Sequence, residues 1–121
     1  MTDRAALTRW IDGYQRAWRS NDPAEIGALF AVDGVYLTEP YADPIAGRDA
    51  IVEFWLEGRD EPGDWAFAWH PVAIEGDTAV IQAKTDYAGK SDYFNIWVIR
   101  FAPDGTAASF TEWYMVDDGD A

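Results

Sequence analysis

DGVYLTEPYADPIAGRDAIVEFW, residues Asp33 to Trp55, opens on an Asp-Gly pair that signals a turn and passes into a short apolar run that a proline cuts off. Val35 to Thr38 is β-rich, and Pro40, with no N–H for a sheet ladder, must end the strand or leave it at a sheet edge. After a loop containing Pro44 the chain restarts at Gly47. A helix is predicted from Arg48 to about Gly58, with Ile51, Phe54 and Trp55 on one face. Glu39 therefore stands where a strand gives way to irregular backbone at the rim of a hydrophobic core, a place suited to a general base.

Upstream of this stretch, Leu7, Trp10, Ile11, Tyr14, Ala17 and Trp18 recur at helical spacing from a start near Thr2 or Asp3, and Asn21 and Asp22 stop the helix. Asp22, Pro23 and Glu25 then read as N-cap, first helical residue and capping-box acid of a second helix, whose buried face is Ile26, Leu29 and Phe30. Downstream, the period changes to two. Four strands are predicted at Trp65 to Ile74, Thr78 to Tyr87, Tyr93 to Phe101 and Ala107 to Val116, separated by turn residues at 75–77, 89–91 and 103–105. Helices followed by an antiparallel meander make an α+β domain spanning residues 1–121, with three helices packed on one face of a curved, mainly antiparallel sheet. Tyr93, Asn95, Trp97 and Ile99 share one face of their strand, and Phe94, Ile96 and Val98 share the other, so a second copy of the chain is expected to cover the outer face.

Composition narrows the partners. Twenty-two acidic against nine basic residues give a formal net charge of −13, which repels phosphate backbones and anionic lipid heads, so neither nucleic acid nor a membrane is expected. The absence of cysteine excludes disulfides and thiolate chemistry, and the single histidine, His70, excludes a multi-histidine metal site. No apolar run approaches the ~20 residues of a membrane span, and the N-terminus has no apolar signal core, so a cytoplasmic protein is expected. No P-loop or dinucleotide fingerprint occurs, and no cofactor is expected. Seven Trp, six Tyr and six Phe favour apolar, ring-shaped ligands instead.

Tyr14 to Trp18, Asp22 to Phe30, Asp33 to Pro40, Gly47 to Trp55 and the final run from Phe110 to Met115 together resemble the nuclear transport factor 2-like superfamily, also called SnoaL-like. The resemblance implies three N-terminal helices and a curved mixed sheet around a conical pocket. The superfamily hosts isomerases, dehydratases, epoxide hydrolases, cyclases and noncatalytic adaptors. Within it, Tyr14 and Glu39 fall on the positions of the oxyanion-donating tyrosine and the base of ketosteroid isomerases. The second acid of that family is matched here by Trp97, which weighs against steroid isomerisation. An ungapped alignment to that family turns Tyr93, Asn95, Trp97, Phe110, Glu112 and Tyr114 toward the interior.

Glu39, with Tyr36 and Tyr41 beside it, reads as a general base or as a solvated rim glutamate. Glu112 reads as its acid partner, as an anchor for a substrate hydroxyl through Asn95 and Tyr14, or as a structural carboxylate satisfied by Arg, Trp or Tyr donors, with Arg16 and Arg48 on nearby helices. His70 is a strand residue before it is a proton shuttle. Strand 78–87 has two registers, and the apolar one, with Ile81, Ala83 and Thr85 inward, is preferred because it is the easier to bury. Trp18, Trp55 and Trp97 point toward one presumed cavity, which with Tyr36 and the inward strand residues would hold a small apolar or cyclic ligand. Isomerase, lyase or hydrolase chemistry fits this site, as does a noncatalytic ligand-binding or dimerising module.

Overall fold

The computed structural model describes residues 2–58, 65–87 and 92–117. Asp3 caps α1 (Arg4–Ser20) by accepting the Ala6 N–H at 2.8 Å, and Asn21, in the left-handed region at φ 51°, closes it by donating to the Ala17 carbonyl. The helix buries the predicted stripe: Leu7, Trp10, Ile11, Tyr14, Ala17 and Trp18. In α2 (Pro23–Gly27) Asp22 is the N-cap, accepting from Ala24 N. Glu25 reaches back, but to the Ser20 hydroxyl, and it is Ser20 Oγ that takes the Asp22 N–H, so the capping box is routed through one extra side chain.

The deciding stretch folds differently from its reading at one place. Asp33 and Gly34 do not end an element; they lie inside β1 (Phe30–Leu37), at an irregularity between Phe30 and Val35 in its pairing with the last strand. A Cβ on Gly34 would stand 2.9 Å from the Ala107 carbonyl oxygen and 3.0 Å from that of Ala31, so glycine here allows a close backbone approach rather than a chain reversal. Phe30 accordingly belongs to the strand and not to α2. The Pro-containing loop also holds a two-residue strand, β2 (Ile45–Ala46), too short to show a period. α3 (Arg48–Glu57) follows as predicted.

β3 (Trp65–Glu75), β4 (Thr78–Tyr87), β5 (Asp92–Phe101) and β6 (Ala107–Asp117) form the antiparallel meander, and β6 returns beside β1 in parallel, giving the order β2-β1-β6-β5-β4-β3. The mixed, mainly antiparallel sheet is not closed, and the helices lie on its inner face. Gly76 and Gly105 turn two hairpins at positive φ. The turn expected around Gly89, the loop at 59–64 and the acidic tail beyond Asp117 fall outside the described residues.

Register settles the ambiguous strand. Ile81, Ala83 and Thr85 are buried opposite Trp97, Asn95 and Tyr93, whereas Gln82, Lys84 and Asp86 face out. Trp10 joins helix to sheet by its ring contacts with Phe101 and Phe110, and its indole N–H donates to the Leu29 carbonyl at 2.9 Å. On the outer face, Phe94, Trp113 and Met115 remain exposed.

Candidate functional site

Between α1, α3 and the inner face of β4 to β6 the side chains leave a cavity of about 430 Å³. Helical spacing brings Tyr14 and Trp18 from α1 to its wall, and Trp55 from α3. Tyr36 enters from β1, and alternation along β5 and β6 delivers Tyr93, Asn95, Trp97, Glu112 and Tyr114, as the ungapped alignment implied. Phe110, of the same parity, lies one layer deeper: it is fully buried and stacks on Tyr36 at 4.8 Å between centroids, supporting the lining rather than joining it. Phe54, Gly58, Thr85 and Tyr87 complete the wall. Their signals were present in the chain, since 51, 54, 55 and 58 share a helical face and 85 and 87 continue the inward parity of 81 and 83.

Glu39 is placed elsewhere. It lies in a bend after β1, exposed to solvent and not among the cavity-lining residues, and Tyr41 next to it is fully exposed at φ 65°. The aromatic surroundings expected of it are thus absent at Tyr41, and its side chain does not meet Glu112 across the cavity. His70 likewise sits on the exposed face of β3.

Glu112 is the acid of the cavity. Trp97 Nε1 donates to its Oε2 at 2.6 Å and Asn95 Nδ2 donates to the same oxygen at 3.0 Å. Register makes this possible: Trp97 lies directly across from Glu112, and Asn95 is two residues along the same face. Asn95 is oriented in turn by Thr85 Oγ1, which donates to its Oδ1 at 2.9 Å. An oxygen has two lone pairs, so the two donors fill Oε2 and leave Oε1 as the basic atom. The arginines considered as partners are engaged elsewhere: Arg48 Nε donates to the Phe30 carbonyl at 2.9 Å, and Arg16 lines a separate groove beyond α1.

Burial raises the Glu112 pKa above the ordinary carboxylate value, against the opposing pull of the Trp97 and Asn95 hydrogen bonds. Burial drives both the Tyr14 and the Tyr36 phenols up, and their mutual interaction and the Glu112 charge act on both. Chemically, the site offers one carboxyl that can exchange a proton at a defined oxygen, phenolic hydroxyls and a wall of rings. Among the described residues no group of three or more His, Asp or Glu side chains is arranged to hold a metal ion, and no helix is long and apolar enough to cross a membrane.

A family model described as a SnoaL-like domain matches residues 8–121. No curated protein matches the sequence. Among solved structures, the epoxide hydrolase/cyclase-like enzyme SalBIII, from pyran ring formation in the polyether salinomycin, is similar at a TM-score of 0.73, with 15% identity over 95% of each chain. An NTF-2-like protein of unknown function from Burkholderia xenovorans LB400 has a TM-score of 0.71 and 14% identity over 91% of this chain and 83% of its own. A steroid delta-isomerase from Pseudomonas aeruginosa has a TM-score of 0.65 and 19% identity over 93% and 81%. At these identities the likeness is one of fold.

Proposed function

We propose, from the premise that this chain belongs to the SnoaL-like domain family, that it is an enzyme of the isomerase, lyase or hydrolase type acting on a small cyclic, largely apolar molecule that carries an oxygen. Glu112 exchanges a proton with the substrate at Oε1, and a phenol of Tyr14 or Tyr36, both in the cavity wall, donates to the substrate oxygen as negative charge develops there. No cofactor enters this chemistry. The single observation that carries the reading is the Glu112 carboxyl, half-buried in an aromatic cavity with both donors on one oxygen. A structural carboxylate would be expected to have both oxygens bonded.

The cavity volume supports a ligand of one or two rings, and its ring-rich wall supports an apolar body. The fold likeness to a steroid isomerase and to a cyclase-like enzyme is compatible with either reaction type. The test is a screen of small cyclic ketones, lactones and epoxides for binding and turnover with the wild type, Glu112→Gln and Glu39→Gln. Loss in Glu112→Gln with Glu39→Gln unaffected is expected; equal behaviour of all three overturns the assignment.

One observation favours a second reading. With Glu39 in solvent the cavity has one carboxyl among its described lining residues, which suffices for binding and lacks the second acid or base that many proton transfers use. A noncatalytic ligand-binding module would show saturable binding without turnover. In either reading the chain is proposed to act as a homodimer through the apolar outer face of β5 and β6.

A further inference from the structure

Glu112, Asn95 and Thr85 form a chain that crosses three adjacent strands, β6, β5 and β4, with Thr85 and Asn95 both buried. The middle member can be turned two ways. With its amide nitrogen toward Glu112, Asn95 donates and favours the ionised carboxylate. Turned over, it presents Oδ1 and favours the protonated carboxyl, which would donate to it and carry its proton away from the cavity. The residue that biases the two is Thr85. Its hydroxyl donates to Asn95 Oδ1; against the turned-over amide it would accept from Nδ2 instead, and the hydroxyl proton of a residue only 3% exposed would lose Asn95 as its acceptor.

We propose that Thr85 is a positioning residue that, through the Asn95 amide, fixes Glu112 Oε1 as the atom that gains and loses the proton. This rests on the reading of Glu112 as the acid/base group. Trp97 fills one lone pair of Oε2 whatever the amide does, and Asn95 fills the second only in the orientation that the Thr85 bond favours. The Thr85 bond also polarises the amide and strengthens its N–H as a donor. A serine keeps this function and a valine, of nearly the same shape, removes it.

The titratable groups lining the cavity with Glu112 are Tyr14 from α1, Tyr36 from β1, Tyr87 from β4, Tyr93 from β5 and Tyr114 from β6; α3 contributes only Phe54 and Trp55, followed by its cap Gly58. Glu112 is the one charged side chain among the described lining residues. Its titration can be read without a ligand, from the side-chain carboxyl carbon resonance in carbon-13 labelled protein, with the Trp97 indole and Asn95 amide protons as reporters. Thr85→Val is expected to move the Glu112 midpoint upward, and Thr85→Ser to restore the wild-type midpoint. Coincident midpoints in wild type and Thr85→Val, or a serine variant displaced as far as valine, would overturn the proposal.

If Thr85→Val does not fold, the wild type decides alone. The Trp97 and Asn95 protons are expected to shift together at the Glu112 midpoint, because both donate to the same oxygen. Asn95 protons that stay still while Glu112 titrates would contradict the positioning role. Since no ligand is added, failure here leaves the ligand screen standing, and an empty ligand screen leaves this result standing.

Discussion

Burial sets the cost of Glu112 and hydrogen bonding reduces it, and the balance has a sign that can be measured. Its folded-state pKa is raised, so the folded protein binds more protons than the unfolded chain between the ordinary carboxylate pKa and the raised one. Stability associated with this group is therefore full below the ordinary value and falls as the pH rises through the raised one. Glu112→Gln keeps an amide oxygen for Trp97 and Asn95 and carries no charge. It is expected to melt a few degrees above the wild type at neutral pH, with the gap closing in acid; thermal melts across that range check this. The phenols give a second prediction. Tyr14→Phe and Tyr36→Phe each remove a hydroxyl from the cavity wall, and at least one of them should weaken binding several-fold, on the scale of one neutral hydrogen bond, as calorimetry with any ligand from the screen would show.

At the scale of elements, the strand that carries Gly34 is where local reading and tertiary structure part. Glycine is required because β1 and β6 approach closely there, so Gly34→Ala is expected to destabilise the fold by about 1–3 kcal/mol, the usual cost of forcing atoms into a filled space. The midpoint of chemical denaturation reads this directly. The same position explains what the sequence left hidden. An Asp-Gly pair looks alike in a hairpin and in a bulged strand, and only the partner β6, which pairs from Ala107 far downstream, decides between them. The α1 stripe and the extent of α3 were legible because amphipathic periods persist over many residues, whereas the inward sets of β5 and β6 came from the family resemblance and that of β4 from which set is easier to bury. Between general base and solvated rim glutamate the sequence left Glu39 open for the converse reason: the run from Thr38 to Pro44 has no period, and its exposure follows from loop geometry. The inward placement of Glu112 was implied by the family resemblance, but its partners required the cross-strand register that pairs it with Trp97.

At the scale of the whole molecule, the curved sheet separates two tasks. Its inner face holds the cavity, and its outer face carries Phe94, Ile96, Val98, Trp113 and Met115 on β5 and β6, several of them open to solvent. A dimer formed there would bury rings without touching Glu112. Light scattering at micromolar concentration is expected to give twice the chain mass for the wild type and the single mass for Trp113→Glu, with ligand binding retained in both; a monomeric wild type would refute it. Ligand bound to the cavity stabilises the whole fold by mass action, which offers the most direct test of the site. That measurement is the melting temperature of wild type and Glu112→Gln against a panel of small cyclic ketones, lactones and epoxides. We expect at least one compound to raise the wild-type melting temperature in a dose-dependent way, with most of the rise lost in Glu112→Gln. Equal rises in both proteins, or none in the wild type, would contradict the assignment of Glu112 and its cavity as the functional site.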